Sequence, residues 1–220
     1  MSAPVEWRRL EFARIISCDR CTSATDPNLL RDNGENVPQP GYIGPRYRKS
    51  RVLLVGQNPA VDLSPAIPKS LTESDRIYTA ALRILRDEPT VQRYKELSAV
   101  LRTFIPKWPI HGNYFPLDES GLSLEDIGYF NIVRCRTSSN AAPNDCLATK
   151  CIGAHFVRWL ELLAPKVVVF VGKWAWRKGS SAVSAKGIPC AFMNRQRSLS
   201  CTERAENRAQ VVALVRQHRG

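Results

Sequence analysis

The pentapeptide Gly56-Gln57-Asn58-Pro59-Ala60 follows directly on the apolar run Val52-Leu53-Leu54-Val55. Two carboxamide side chains stand next to each other there, each carrying a donor and an acceptor. The glycine before them lets the backbone come close to a ligand, and the proline after them fixes the turn. Such a turn can position a small molecule or read a polar edge. A second group is built on sulfur: Cys18 and Cys21 are separated by two residues, Cys135 and Cys151 by fifteen. A CxxC pair turns two thiolates toward one metal centre, and a distant second pair completes fourfold ligation, of zinc or of an iron–sulfur centre alike. Cys146 stands five residues before Cys151 and could take its place on spacing alone. Cys190 and Cys201 read as ordinary thiols.

These residues need elements to hold them. Val52 to Val55 reads as a buried strand, and the pentapeptide then sits at its carboxyl end, the edge at which open parallel sheets bind ligands. A second strand runs over Ile127 to Val133 and on into Arg134-Cys135. The third, Lys166 to Gly172, is apolar on both faces, as a parallel sheet covered on both sides requires. A short fourth strand spans Ile188 to Phe192. Apolar spacing predicts helices over residues 5–17 (pairing Trp7 with Leu10 and Phe12 with Ile15 and Ile16), 71–87, 91–104, 144–163 and 202–217, with one more opening at Trp174. A loop of about 25 residues separates the CxxC from the basic cluster Arg46, Arg48, Lys49 and Arg51. Strands alternating with helices predict one domain over 1–220, a three-layer α/β/α sandwich with a short, mainly parallel central sheet.

The 220 residues suffice for a sizeable core without staples. The charge balance is less ordinary: 32 Lys and Arg against 20 Asp and Glu give a net charge of +12, which favours a polyanion as partner. No segment approaches a membrane-spanning length, so nucleic acid stands ahead of a membrane. The first residues lack the layout of a signal peptide, which predicts an intracellular, cytoplasmic protein with reduced cysteines. A monomer is the default.

Taken together, these motifs resemble the uracil-DNA glycosylase superfamily, and most of all its iron–sulfur branch. Cys18, Cys21, Cys135 and Cys151 stand in the order and spacing of the cysteines that hold a 4Fe-4S cluster there. Leu53 to Ala60 resembles the first catalytic motif, Phe130-Asn131-Ile132-Val133-Arg134-Cys135-Arg136 the base-recognition strand, and Val167 to Gly172 the penultimate core strand. Two departures stand out. Gln57-Asn58 replaces the acidic residue frequent in iron–sulfur members and is closer to the mismatch-specific and single-strand-selective relatives. Asn194-Arg195-Gln196-Arg197-Ser198 replaces the usual His-Pro-Ser or Asn-Pro-Ser, and the only histidines, His111, His155 and His218, lie elsewhere.

The resemblance implies a monofunctional DNA glycosylase of base excision repair that hydrolyses the N-glycosidic bond of uracil or a related deaminated base flipped out of DNA. By the same resemblance Asn58 would orient the water, and the backbone amide of Gln57 would meet a pyrimidine carbonyl. Asn131 would read the base edge, Gly56 and Ala60 would line the base site, and residues 194–198 would act as wedge or phosphate clamp. An amide is no strong general base, so catalysis would rest on stabilising the departing base anion and the cationic sugar, with slow turnover. No lysine is placed for a Schiff base, so strand cleavage is not expected. Ala60 stands where the most uracil-selective relatives carry a tyrosine, which would admit 5-substituted pyrimidines. Arg46, Arg48 and Lys49 are candidates for further phosphate contacts, and Tyr78, Phe104, Tyr114 and Phe115 for stacking on the base. A nucleic-acid-binding protein that keeps the fold and a zinc or iron–sulfur centre without catalysis is the alternative.

Overall fold

The computed structural model describes residues 3–30, 37–59, 69–104, 115–138, 141–194 and 199–219. In chain order its elements are α1 (Ala3–Ile16), β1 (Leu29–Leu30), β2 (Tyr42–Ile43), α2 (Tyr47–Ser50), β3 (Val52–Gly56), α3 (Lys69–Asp87) and α4 (Val91–Phe104). There follow β4 (Ile127–Asn131), β5 (Arg136–Thr137), α5 (Asp145–Cys151), α6 (Val157–Leu163), β6 (Val167–Val171), α7 (Lys173–Ser184), β7 (Cys190–Met193) and α8 (Cys201–His218). Internal packing divides the chain into two compact units. One holds Gly41–Gln57, Trp108–Ile132 and Cys151–Gly220 and contains the main sheet; the other holds Met1–Pro40, Asn58–Lys107 and Val133–Lys150 and is mainly helical.

In the sheet unit, five strands lie in the order β2-β4-β3-β6-β7. Four are parallel, and β2 is antiparallel to β4 at one edge, with Tyr42 opposite Tyr129. The two central strands, VLLVG and VVVFV, are buried at every position, which is why their sequences show no polar alternation. On one face Val52, Leu54, Ile127, Val167 and Val169 pack with Val211 and Val215 of α8. On the other, Phe130 meets Phe156 and Trp159, and Phe170 meets Phe156 and Trp176 of α7. Helices therefore cover both faces, and the expected three-layer α/β/α arrangement is present. Parallel pairing sets Val52 beside Ile127 and Gly56 beside Asn131, so these two strands finish level.

The helical unit packs α3 against α4 and α1 against both. Phe12 of α1 meets Tyr94 of α4 edge to face at 5.4 Å between centroids. Leu10, which the apolar spacing placed on the buried side of α1, is instead 51% exposed; the buried stripe runs through Glu11, Phe12, Ile15 and Ile16. The expected 25-residue loop contains β1, β2 and α2, pieces too short to show a period. β1 pairs antiparallel with β5, Leu29 opposite Thr137. The helix expected over 144–163 starts from Asn144, whose side chain accepts the Leu147 N–H at 2.8 Å. It widens into a π turn over Ile152–Phe156 between α5 and α6.

Candidate functional site

The division into two units falls between Gln57 and Asn58, so the two halves of the motif belong to different units. On the sheet unit, Gly56 and Asn131 are register partners at the carboxyl ends of β3 and β4. Side chains two apart on a strand share a face, and Asn131 therefore follows Ile127 and Tyr129 on the side that α8 covers. The Tyr129 hydroxyl donates to Asn131 Oδ1 at 3.1 Å, and the Ile132 N–H donates to the Gly56 carbonyl at 2.9 Å. An ideal Cβ on Gly56 would fall far inside van der Waals contact of Asn131 Oδ1 and 2.9 Å from the Tyr129 hydroxyl. The missing side chain at residue 56 is thus the space in which the Asn131 carboxamide lies. Gln57 and Asn131 are both half-buried, with access to solvent.

On the helical unit, Asn58 is half-buried and Pro59 buried. Asn58 Nδ2 donates to Thr137 Oγ1 at 3.0 Å, and Thr137 Oγ1 donates to the Ala141 carbonyl at 2.6 Å. Beside Thr137, Arg136 forms an ion pair with Asp75 of α3. The amide of Asn58 is thereby held by a buried hydroxyl on β5. Neither Thr137 nor Tyr129 was singled out from sequence. Tyr129 could have been, because it stands two residues before Asn131 on a strand; Thr137 carried no periodic signal.

Of the four expected metal ligands, Cys21, Cys135 and Cys151 are buried and Cys18 is half-buried. Burial separates the pair that spacing left equivalent: Cys151 faces inward and Cys146 is exposed. In the helical unit the chain after the CxxC is tied to the start of α5. Asn144 donates its N–H to Asp26 Oδ2 at 2.8 Å and its Nδ2 to the Thr25 carbonyl at 2.7 Å, and Lys150 Nζ reaches Thr25 Oγ1 at 3.2 Å. The β1–β5 ribbon joins that same stretch to the residues following Cys135. Four thiols, most of them out of solvent, suit a thiolate-held centre in donor chemistry. Among the described residues no group of three or more His, Cys, Asp or Glu side chains is gathered closely enough to hold a metal ion. Burial pushes the Cys190 thiol up.

In the expected DNA-contacting loop, Asn194 donates its N–H to Asn207 Oδ1 of α8 at 2.7 Å. Asn207 Nδ2 donates in turn to the Phe192 carbonyl at 3.0 Å, so α8 clamps the end of β7. Arg195, Gln196, Arg197 and Ser198 lie outside the described residues, as do Ala60, Tyr114 and His111. Tyr78, Phe104 and Phe115 are buried, Phe115 within the core under the sheet, so these three stacking candidates are core residues. His155 is buried in the π turn, and His218 ends α8. Arg46, a candidate phosphate contact, holds the 3-10 turn before β4 through Glu125 and through Asp126, 2.8 Å away. The Arg46 guanidinium, with the Ser123 donors, keeps the Asp126 carboxyl well below the usual carboxylate range. Arg48 and Lys49 are exposed.

Fold and edge together define an α/β protein that presents amides and backbone groups at the carboxyl ends of parallel strands, where such sheets take ligands. The family is now explicit. Residues 44–215 match the model of the uracil DNA glycosylase superfamily, and the chain belongs to that superfamily. No curated protein matches the chain. Among the described residues no helix is long and apolar enough to cross a membrane.

Proposed function

We propose that this protein is a monofunctional DNA glycosylase that excises uracil or a related deaminated base. The observation that carries the reading is the Asn131 carboxamide seated over Gly56 at the level ends of β3 and β4. An amide so held offers a donor and an acceptor to a base edge. Superfamily membership supports glycosylase-type chemistry in general, and the net charge of +12 suits DNA as partner. Asn58 holds a water by accepting from it, the Gln57 backbone N–H meets a base carbonyl, and Asn131 reads the edge. Water oxygen bonds to C1′ as the C1′–N bond breaks; that bond's electron pair leaves with the base, and the proton the water loses ends, by way of solvent, on the departed base anion. With an amide in place of a carboxylate, the barrier falls mainly through stabilisation of the base anion and the cationic sugar. The basic 194–198 loop is proposed to hold the flipped state, and the protein to act as a monomer.

The proposal extends to Cys18, Cys21, Cys135 and Cys151 as thiolate ligands of a 4Fe-4S cluster, zinc being the alternative. Its support is the donor chemistry, the burial of three of the four and the ties that join the CxxC stretch to β5 and α5. The cluster's contribution would be structural, and no step of the reaction passes through it.

Oligonucleotides carrying uracil, hypoxanthine, 5-hydroxymethyluracil or mismatched thymine, in single and double strands, test the activity by alkali cleavage at abasic sites. Base release by the wild type that disappears in Asn58→Ala, with DNA affinity retained, is the expected result. Release from none of the four would leave a nucleic-acid-binding module, and full activity of Asn58→Ala would remove the turn from the chemistry.

A further inference from the structure

Of the two amides in the opening turn, Asn58 has its orientation fixed by chemistry rather than by space. An asparagine amide presents an acceptor on one side and a donor on the other, and rotation by half a turn exchanges them. Water positioning by Asn58 requires that Oδ1 be the atom offered. The partner on the other side is Thr137 Oγ1, 3.0 Å from Asn58 Nδ2. A hydroxyl partner alone does not choose between the two amide orientations, because it can donate or accept. Here the choice is made one bond further on. Thr137 Oγ1 lies 2.6 Å from the Ala141 carbonyl oxygen, and a carbonyl oxygen can only accept. The single hydroxyl proton is therefore committed to Ala141, only lone pairs face Asn58, and Nδ2 must be the atom that meets them.

From this we infer that Thr137 is a positioning residue: its hydroxyl relays the polarity of the Ala141 carbonyl to Asn58 and leaves Asn58 Oδ1 as the acceptor for the attacking water. The inference rests on the proposed role of Asn58. Thr137 is 4% exposed, so bulk water does not substitute for its hydroxyl. Its place is set by the β1–β5 pairing opposite Leu29, so the relay is built on backbone rather than on a mobile side chain. Loss of the hydroxyl leaves Nδ2 only the Pro59 carbonyl at 3.5 Å, the outer limit of a hydrogen bond, so the amide can turn, and a turned amide offers N–H to a water that needs an acceptor.

Thr137→Val keeps the branched shape and removes the relay; Thr137→Ser keeps the relay. Single-turnover release of uracil from a labelled oligonucleotide is expected to slow at least about tenfold in Thr137→Val, the equivalent of one lost oriented hydrogen bond, with DNA affinity unchanged and Thr137→Ser close to wild type. The decisive arm uses Asn58→Asp, whose two oxygens are both acceptors and have no polarity to set. On that background Thr137→Val should cost less than about threefold, whereas a merely structural role would cost the same on both backgrounds. Equal cost on both, or a Thr137→Val enzyme as fast as wild type while melting normally, overturns the inference. A wild type that releases no base from any substrate refutes the glycosylase reading itself, a separate outcome. Should Thr137→Val fail to fold, Thr137→Ala compared with Thr137→Ser on the two backgrounds gives the same contrast.

Discussion

Replacing Gly56 by alanine adds one methyl group at the point where the sheet hands over to the motif. An ideal Cβ there falls far inside contact of Asn131 Oδ1 and 2.9 Å from the Tyr129 hydroxyl, and both of these atoms are the tips of side chains rather than backbone. The strand pairing of Gly56 with Asn131 can therefore persist while the Asn131 carboxamide retreats by roughly 1 Å to reach ordinary contact. Overpacking a buried site costs about 1–3 kcal/mol, and the lower end applies because the obstructing atoms can swing. Displacing a substrate-positioning group by that amount costs about a hundredfold in rate. The two consequences separate in experiment: the melting temperature should fall by only a few degrees, while single-turnover excision drops by about two orders of magnitude. Excision within threefold of wild type would refute the seating of Asn131 over Gly56, and a variant that does not fold would refute the claim that side-chain tips give way before the strands do.

Three further outcomes are expected. Because Asp126 titrates well below the usual range through its bond to Arg46, the pair contributes stability above the ordinary carboxylate value of about 4 and loses it as the pH falls below that; Arg46→Gln should lower the melting temperature at pH 7, and the deficit should shrink as the pH is taken below about 4. A deficit constant over that range would deny the coupling. Ala164 closes α6 in the left-handed region at φ 42° and is exposed, so Ala164→Gly should stabilise the fold by about 0.5–1 kcal/mol, read as a small rise in melting temperature; a fall would mean the strain is absent. Protein purified without air should contain iron and acid-labile sulfide, which Cys18→Ser removes and Cys146→Ser leaves in place; iron-free, zinc-loaded wild type would point to zinc instead.

The central sheet could be read from sequence because its strands are buried on both faces: Val52–Val55 and Val167–Val171 are unbroken apolar runs that admit few other placements. The short pieces could not. β1, β2 and β5 have two residues each and α2 has four, and no period exists at that length; their positions come from tertiary pairing, as in Leu29 opposite Thr137. The π turn between α5 and α6 was likewise invisible, since one widened turn leaves the apolar spacing of 144–163 nearly unchanged.

The same limit governs the site. Gly56 and Asn131 declare themselves by residue type, but what makes the pair functional is register, and register brought them level from 75 positions apart in sequence. Charge shows the limit from the other side. Arg46, Lys49 and Arg51 look alike in a basic cluster, yet Arg46 binds Asp126 and Arg51 donates to the Ala164 carbonyl at 2.6 Å, each fastening one chain turn to another. A positive sum therefore marks a preference for polyanions without saying which cations meet them. Composition reports what a residue can do; what it does is set by the nearest atom that can only donate or only accept. Asn58 is the case in point, because its two ends are told apart chiefly through Thr137 and a carbonyl four residues beyond it, the Pro59 carbonyl adding only a contact of 3.5 Å. A scan of motifs would keep Asn58 and discard Thr137, although that hydroxyl is the nearest atom that turns the amide oxygen toward its water.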